Sequence, residues 1–233
     1  MTLTHHRIDF FEKIAPYYDI LLDLLTFGLY ANFLRKGVTI LAPKKGEKIL
    51  DLCSGTGRVV SWIAEAIGKE GEVIGVDISK NMVEVARKRY GSLGNVIFLQ
   101  KDVTEAWGYR NYFDGIFTSF ALHELPESER SGVLEQCYLA LKERGRLVIA
   151  EFNPQISGMR KTLLLLFFKL FERENLNFFS FEQRKVLERV GFRRIRVFTV
   201  LGDLLQITFT YKSSKGGFEP GRRQEFEGSW VQG

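Results

Sequence analysis

Three aspartates follow short apolar runs, each at the point where the run ends. Asp51 closes "KILD", Asp77 closes "VIGVD", and Asp102 comes two residues after "VIFLQ". The carboxyl ends of parallel strands meet at one edge of an open α/β sheet, and ligands bind at that edge. We therefore expect the three carboxylates to lie around one binding site.

A glycine-containing turn, "CSGTG", separates Asp51 from a helix-like segment. Gly55 and Gly57 supply two glycines of the dinucleotide motif G-x-G-x-x-G, but Val60 occupies the third position. Asp77 stands 20 residues after Gly57, a spacing that suits a contact with ribose hydroxyls, whether of NAD or of another nucleoside. A carboxylate at Asp51 would repel a pyrophosphate, so a ligand with an amine or sulfonium near the turn is favoured.

The pattern of apolar runs predicts the elements that position these acids. Residues 10–42 have helical periodicity, and from Glu47 onward strand-like and helix-like stretches alternate, as in a parallel sheet covered on both faces. Ser79 is the expected N-cap of the helix "KNMVEVARKRY", and "ESERSGVLEQCYLALKERG" is expected to be one helix. The runs "FRRIRVFTV" and "LLQITFTYK" leave no room for a crossover helix and should pair as an antiparallel hairpin, the second strand half-buried.

Composition points to a soluble globular protein. The chain has 233 residues, of which 45% are apolar and 26% charged, enough for one domain with a full core. Two cysteines make a disulfide framework or a cysteine-based metal site improbable, and we expect no metal. The N-terminal residues lack a secretory pattern, so a cytoplasmic location is the expectation.

The net charge of +5 is unevenly distributed. Residues 160–196 carry ten Lys or Arg against four Glu, so this segment alone is more basic than the whole chain. Such a segment can meet nucleic acid or an anionic membrane surface, or it can be a solvated face. No RNA-binding module is recognisable, and we expect no nucleic-acid partner.

Five motifs in order resemble the class I S-adenosylmethionine (SAM)-dependent methyltransferases over residues 45–212. They are "ILDLCSGTGRVV", "VIGVD", "FLQKDV", "FDGIFTSFALHELPE" and "LKERGRLVIAEF". The resemblance implies a Rossmann-like α/β fold with a seven-stranded mixed sheet in the order 3-2-1-4-5-7-6. Strand 7 would be antiparallel, helices would cover both faces, and the cofactor would be SAM.

The same resemblance implies roles for residues at the strand ends. Asp51 and the glycine turn would hold the methionine part, Asp77 would bind the ribose, and Asp102 would flank the adenine. The implied cofactor-binding set is Tyr18, Asp51, Gly55, Gly57, Asp77, Ile78, Asp102, Val103 and Ser119.

The N-terminal segment is similar to that of the ubiquinone/menaquinone biosynthesis C-methyltransferases. Tyr18-Asp19 and Phe27-Gly28 match a Tyr-Asp and a Phe-Gly of that family. The resemblance implies that residues 1–44 form a helical cap over the cofactor, with Tyr18 either touching SAM or serving as a packing aromatic.

The segment "SFALHELPE" departs from that family, which has Ser-Phe-Gly-Leu-Arg-Asn here. His123 and Glu124 stand in place of the Arg and Asn, and they are the candidate catalytic residues. His123 could take a phenolic proton for C-methylation, or it could orient an amine for N-methylation. Alternatively, His123 is a structural loop residue.

The stretch "KTLLLLFFKLFERE", residues 161–174, is apolar but far shorter than the ~20 residues that cross a bilayer. It lies in an expected acceptor-side helical insertion at about 156–190, and residues 160–173 could contact anionic lipid head groups. A buried helix or a dimer interface is the alternative. Residues 213–233, rich in glycine and charge, are expected to form a flexible tail.

The leading hypothesis is a methyltransferase acting on a hydrophobic, membrane-resident acceptor, a quinone precursor methylated at carbon. The enzyme would be cytoplasmic and peripheral at the inner membrane surface. Phospholipid N-methylation of the phosphatidylethanolamine type is the alternative. An NAD-binding oxidoreductase and a non-catalytic SAM-binding module are further alternatives, and an oligomer is compatible with all of them.

Overall fold

A computed structural model describes residues 5–158, 162, 178 and 181–213. Within these residues the helices are α1 (His5–Ile14), α2 (Tyr18–Leu25), α3 (Leu29–Leu41), α4 (Arg58–Ile67), α5 (Lys80–Tyr90), α6 (Glu127–Ala140) and α7 (Gln183–Val190). The strands are β1 (Lys48–Leu52), β2 (Glu72–Asp77), β3 (Val96–Gln100), β4 (Phe113–Ser119), β5 (Leu141–Phe152), β6 (Phe192–Val200) and β7 (Leu205–Lys212).

The strands form one seven-stranded sheet in the order β3-β2-β1-β4-β5-β7-β6, which confirms the predicted topology. The first five strands run parallel, and β7 pairs antiparallel with both β5 and β6. Strand order reverses between β1 and β4, so the loops after these two strands open beside each other.

Two apolar clusters cover the two faces of the sheet. One packs side chains of α3, α4 and α5 against the sheet, and the buried residues predicted for α4 (Val59, Val60, Ile63, Ala64 and Ile67) belong to it. The other packs α6 and α7 against the opposite face. Helices on both faces are therefore confirmed. Ser79 caps α5 as predicted, because its Oγ accepts a hydrogen bond from the Met82 amide at 3.2 Å.

The N-terminal helical stretch is divided into three helices. The chain leaves α1 at Ala15 and Pro16, and proline cannot continue the hydrogen bonding of a preceding helix. It breaks again at Phe27 and Gly28, both with positive φ. These breaks bring α1, α2 and the start of α3 to the carboxyl ends of the central strands, while the rest of α3 packs on a face of the sheet.

Two sequence-based expectations were wrong in detail. The predicted helix up to Gly145 ends at Ala140, because Leu141 pairs with Phe113 and the chain then bulges through Arg144 at positive φ. Strand β7 is not half-buried, because it lies inside the sheet and side chains on both of its faces are buried. Gln206 accordingly donates to Gln183 of α7 at 3.0 Å.

Parts of two predicted segments lie outside the described residues. They are most of the apolar stretch 161–174 and the tail beyond Ser213, so the predictions made for them stay predictions. In the part of the chain that the structure describes, no helix has the length and apolar character needed to cross a membrane.

Candidate cofactor and acceptor site

A cavity opens at the carboxyl ends of β1, β2 and β4, beneath the three N-terminal helices. Its acidic lining residues are Asp19, Asp51, Asp77, Asp102 and Glu124, and its basic ones are Arg58 and Lys101. Arg58 is already paired, with both guanidinium Nη atoms on the Asp23 carboxylate at 2.8 and 2.9 Å. The cavity is therefore suited to a cation and unsuited to a pyrophosphate.

Most of the residues predicted from the sequence meet at this cavity. The lining includes Tyr18, Asp51, Gly55, Asp77, Ile78, Asp102, Val103, Ser119 and Glu124. Two predicted residues, Gly57 and His123, are not part of this lining and lie behind it.

The two glycines of the turn have different tasks. Gly55 has a φ of 53°, which glycine adopts readily. A Cβ at this position would meet no atom within 4 Å, so it would project into open space that a ligand can occupy. Gly57 has a φ of 80°, and a Cβ there would lie 2.7 Å from Phe98 Cζ. Gly57 thus permits close packing of α4 on the sheet rather than open space at the cavity.

Asp77 holds the turn in place. Its Oδ2 accepts from the Gly55 amide at 2.8 Å, and its Oδ1 accepts from the Ser79 amide at 2.9 Å. Burial raises the pKa of Asp77, while these amide hydrogen bonds act in the opposite direction. Each carboxylate oxygen has a second lone pair, so Asp77 can also accept from a pair of ribose hydroxyls.

Asp51 is a buried acid without a hydrogen bond on Oδ1 from any described residue. Asp51 is only 1% exposed. Burial raises its pKa well above the usual range, and the nearby negative charge of Asp77 adds to this effect. A buried carboxylate without a partner is costly, and an ammonium group bound in the cavity would relieve that cost. The residues present therefore fit the amine of SAM.

Asp102 lies at the far wall, in the loop after β3. Its Oδ1 accepts from the amide and the hydroxyl of Thr104 at 2.9 and 2.8 Å. The Trp107 indole donates to the Val103 carbonyl at 2.9 Å and so braces the same loop.

A tyrosine pair closes the cavity from the cap. Tyr18 of α2 and Tyr30 of α3 are hydrogen-bonded to each other, and burial raises the pKa of Tyr18 to about 12. Tyr30 also stacks on Phe120, with ring centroids 5.6 Å apart. No local pattern points to Tyr30, because Tyr18 and Tyr30 lie on different helices.

Asp19 fastens the cap to the glycine turn. It accepts from the Thr56 hydroxyl at 2.7 Å, it is bound by Arg89 of α5, and its Oδ1 lies 3.4 Å from Arg58 Nε. The sequence marks Asp19 only as part of a Tyr-Asp motif and does not predict these contacts.

Glu12 anchors α1 in a similar way. Its side chain accepts from the Ser79 hydroxyl at 3.2 Å, and its carbonyl accepts from the Asn81 amide group at 2.9 Å. The cap is thus joined to both loops that follow β1 and β2.

His123 lies between two carboxylates. Its Nδ1 is 2.8 Å from Glu151 Oε1 and its Nε2 is 3.1 Å from Glu124 Oε1. Burial acts to lower the pKa of His123, but the Glu151 and Glu124 carboxylates outweigh it and raise the pKa to about 10. The ring is therefore protonated at neutral pH. No sequence pattern points to Glu151, because it lies on β5, 28 positions away from His123.

Arg130 of α6 fixes the loop that carries His123 and Glu124. Its Nε donates to the carbonyls of Leu122 and Leu125 at 2.9 and 3.1 Å. The loop starts at Phe120, whose φ is 48° and whose amide donates to the Ala150 carbonyl at 2.9 Å. Glu124 is in this way presented to the cavity while His123 stays behind it.

Known proteins resemble this chain over most of its length. The pattern of the ubiE/COQ5 methyltransferase family matches residues 2–174. A curated relative, the ubiquinone/menaquinone biosynthesis C-methyltransferase UbiE of Erwinia tasmaniensis, is 32% identical over 157 residues. That alignment covers 66% of this chain and 62% of the relative, so the chain spans less than two thirds of the relative's length.

Solved structures share the fold at low sequence identity. A SAM-dependent methyltransferase from Aquifex aeolicus has a TM-score of 0.56 and 22% identity, covering 77% of this chain and 89% of that one. A phosphoethanolamine N-methyltransferase from Haemonchus contortus, in complex with phosphomonomethylethanolamine and S-adenosylhomocysteine, has a TM-score of 0.61 and 18% identity. It covers 77% of this chain and 53% of that one.

Proposed function

The chain belongs to the ubiE/COQ5 methyltransferase family, and on that premise we propose that it transfers a methyl group from SAM to a small-molecule acceptor. The observation that carries this proposal is the acid-rich cavity with Asp51 at its base. A ligand with a cationic methionine end and a neutral adenosine matches it. NAD, with two phosphate charges at the glycine turn, does not.

The chain's own residues bind and align the reactants. Asp51 and the space above Gly55 would receive the methionine end, Asp77 the ribose, and the wall at Asp102 and Val103 the adenine. When bound, SAM supplies an electrophilic methyl group on a sulfonium. Catalysis then depends largely on alignment, which reaches effective molarities of about 10⁵–10⁸ M in well-oriented systems.

The acceptor would enter beside Phe120, Glu124 and Leu125, since these residues line the side of the cavity that follows β4. We propose a quinone precursor methylated at ring carbon, because the family match and the curated relative both point to that chemistry. Phospholipid N-methylation stays the second candidate, because His123 and Glu124 replace the Arg and Asn of the quinone enzymes.

Product analysis with methyl-labelled SAM separates these candidates. We expect label in the quinone fraction after incubation of the protein with a membrane extract. Label confined to a lipid head group would favour the second candidate, and calorimetric binding of NAD without binding of SAM would contradict both.

The outer surface of the cap supports a membrane-resident acceptor. Leu24 and Phe27 are 70% and 93% exposed, and Ile20 and Leu25 are exposed beside them. The acids Asp19 and Asp23 of α2 bind residues of the fold, whereas Lys13, Arg35 and Lys36 of the cap are exposed. A segment that exposes both apolar and basic side chains is typical of proteins that lie on anionic bilayers.

Vesicle flotation tests this surface. We expect the protein to float with vesicles that contain phosphatidylglycerol and to float less with phosphatidylcholine alone, because both apolar and basic groups contribute. The double variant Leu24→Ser/Phe27→Ser should lose most of this binding. Leu93→Ser, which removes an exposed leucine elsewhere, is the matched control. Equal flotation of the double variant and the control would contradict a membrane contact through the cap.

A further inference from the structure

A row of three ionisable side chains runs from the protein interior to the acceptor side of the cavity. Glu151 is fully buried, and its Oε1 accepts from the Phe152 amide at 2.8 Å as well as facing His123 Nδ1. His123 is 3% exposed, and Glu124 lies between His123 and the cavity. The order from the interior outward is therefore carboxylate, imidazole, carboxylate.

The geometry favours a protonated ring, because both ring nitrogens face carboxylate oxygens. An imidazole ring can donate hydrogen bonds from both nitrogens to two carboxylates only when it is protonated, as an imidazolium. An imidazolium has no lone pair left to accept a proton. His123 is thus a poor general base, whereas the Glu124 carboxylate can accept one at the cavity wall.

We propose that Glu151 is a positioning residue for methyl transfer: it holds His123 as an imidazolium, which orients the Glu124 carboxylate to receive the acceptor's proton. This inference rests on the proposed function and deepens it. It predicts an acceptor that gives up a proton from a hydroxyl or amine close to the methylated atom.

In a phenolic acceptor the O–H bond breaks and its proton goes to Glu124. The electron pair left on the oxygen delocalises to the ring carbon. That carbon forms a bond to the methyl carbon while the C–S bond breaks, leaving a neutral thioether. The ring C–H proton then leaves, the oxygen regains a proton, and one proton is released overall.

The surroundings of His123 favour this arrangement. Phe152 of β5, Phe120 of the loop and Phe178 place their rings 5.2, 6.4 and 6.0 Å from the imidazole, edge-on, and leave His123 only 3% exposed. The charged groups that bear on the row are Glu124, Glu151 and the buried Arg130 of α6, whose charge interacts with Glu151. Tyr18 of the cap lies near Glu124 on the cavity side.

The test is Glu151→Gln, with Glu143→Gln as the matched control on an exposed part of the same strand. The first readout is the imidazole titration by NMR of the whole protein, which has three histidines, His5, His6 and His123. We expect His123 to stay protonated through pH 8 in the wild type and in the control. In Glu151→Gln we expect it to titrate at lower pH.

The second readout is kinetic. We expect Glu151→Gln to lower kcat by up to about 100-fold, since misplacement of a catalytic group has effects of that size. The KM for SAM should be unchanged, and activity should fall as pH rises through the lowered pKa of His123. Glu124→Gln should lower kcat by about 10²–10⁴-fold at every pH, as loss of a general base does.

Two results would overturn the inference. One is a wild-type His123 that titrates near its ordinary pKa, a result that needs no acceptor and so is independent of the proposed function. The other is a Glu151→Gln variant with normal kcat and an unchanged pH profile. A protein that binds no SAM would contradict the proposed function, while the NMR result would still decide how Glu151 acts on His123.

Discussion

Replacing Asp51 with asparagine is expected to lower SAM affinity about 10- to 100-fold, because a charge-assisted hydrogen bond contributes about 1.5–3 kcal/mol. The same change should not lower the free energy of unfolding of the ligand-free protein. Burial raises the pKa of Asp51 in the folded state, so its ionisation opposes folding as pH rises above the unfolded value near 4. Asparagine removes that ionisation.

Calorimetry with SAM and urea unfolding without ligand measure the two effects. Asp114→Asn is the matched control, since Asp114 accepts from the Lys48 amide and from Lys142 at the opposite end of the sheet. We expect that control to lose stability and to keep its SAM affinity. An Asp51→Asn protein that binds SAM normally, or that unfolds more easily, would show that Asp51 is a structural acid.

Replacing His123 with alanine is expected to lower the free energy of unfolding by about 3–5 kcal/mol, since removing one partner leaves a buried charge without compensation. The buried charge is that of Glu151, which is fully enclosed. Adding Glu151→Gln to His123→Ala should recover part of this loss, because the remaining amide carries no charge.

The loss should depend on pH in a defined direction. The folded pKa of His123, about 10, lies above the unfolded value near 6.5. Its contribution to stability is therefore complete below about pH 6.5 and disappears as pH rises towards about 10. Urea unfolding at pH 6, 8 and 9.5 should show the wild type and His123→Ala converging, and a constant difference would contradict the ion-pair assignment.

Local sequence patterns predicted much of the fold and the acids of the site. Apolar periodicity predicted the parallel strands and the terminal hairpin, because burial on a pleated or helical surface repeats along the sequence. The acids Asp51, Asp77 and Asp102 could be placed together, because parallel strands bring their carboxyl ends to one edge. Their meeting in one cavity confirms that prediction, while their contacts with SAM stay proposals.

Pairings between distant residues depended on tertiary structure. Glu151 reaches His123 because β5 lies beside β4 in the sheet, and this neighbour turns a candidate base into an imidazolium. Likewise Asp19 meets Arg58 and Arg89 only once the cap has folded over the sheet. The sequence by itself determined which residue types stand at the strand ends. Their charge states were decided by burial and by partners from other elements, which no local pattern encodes.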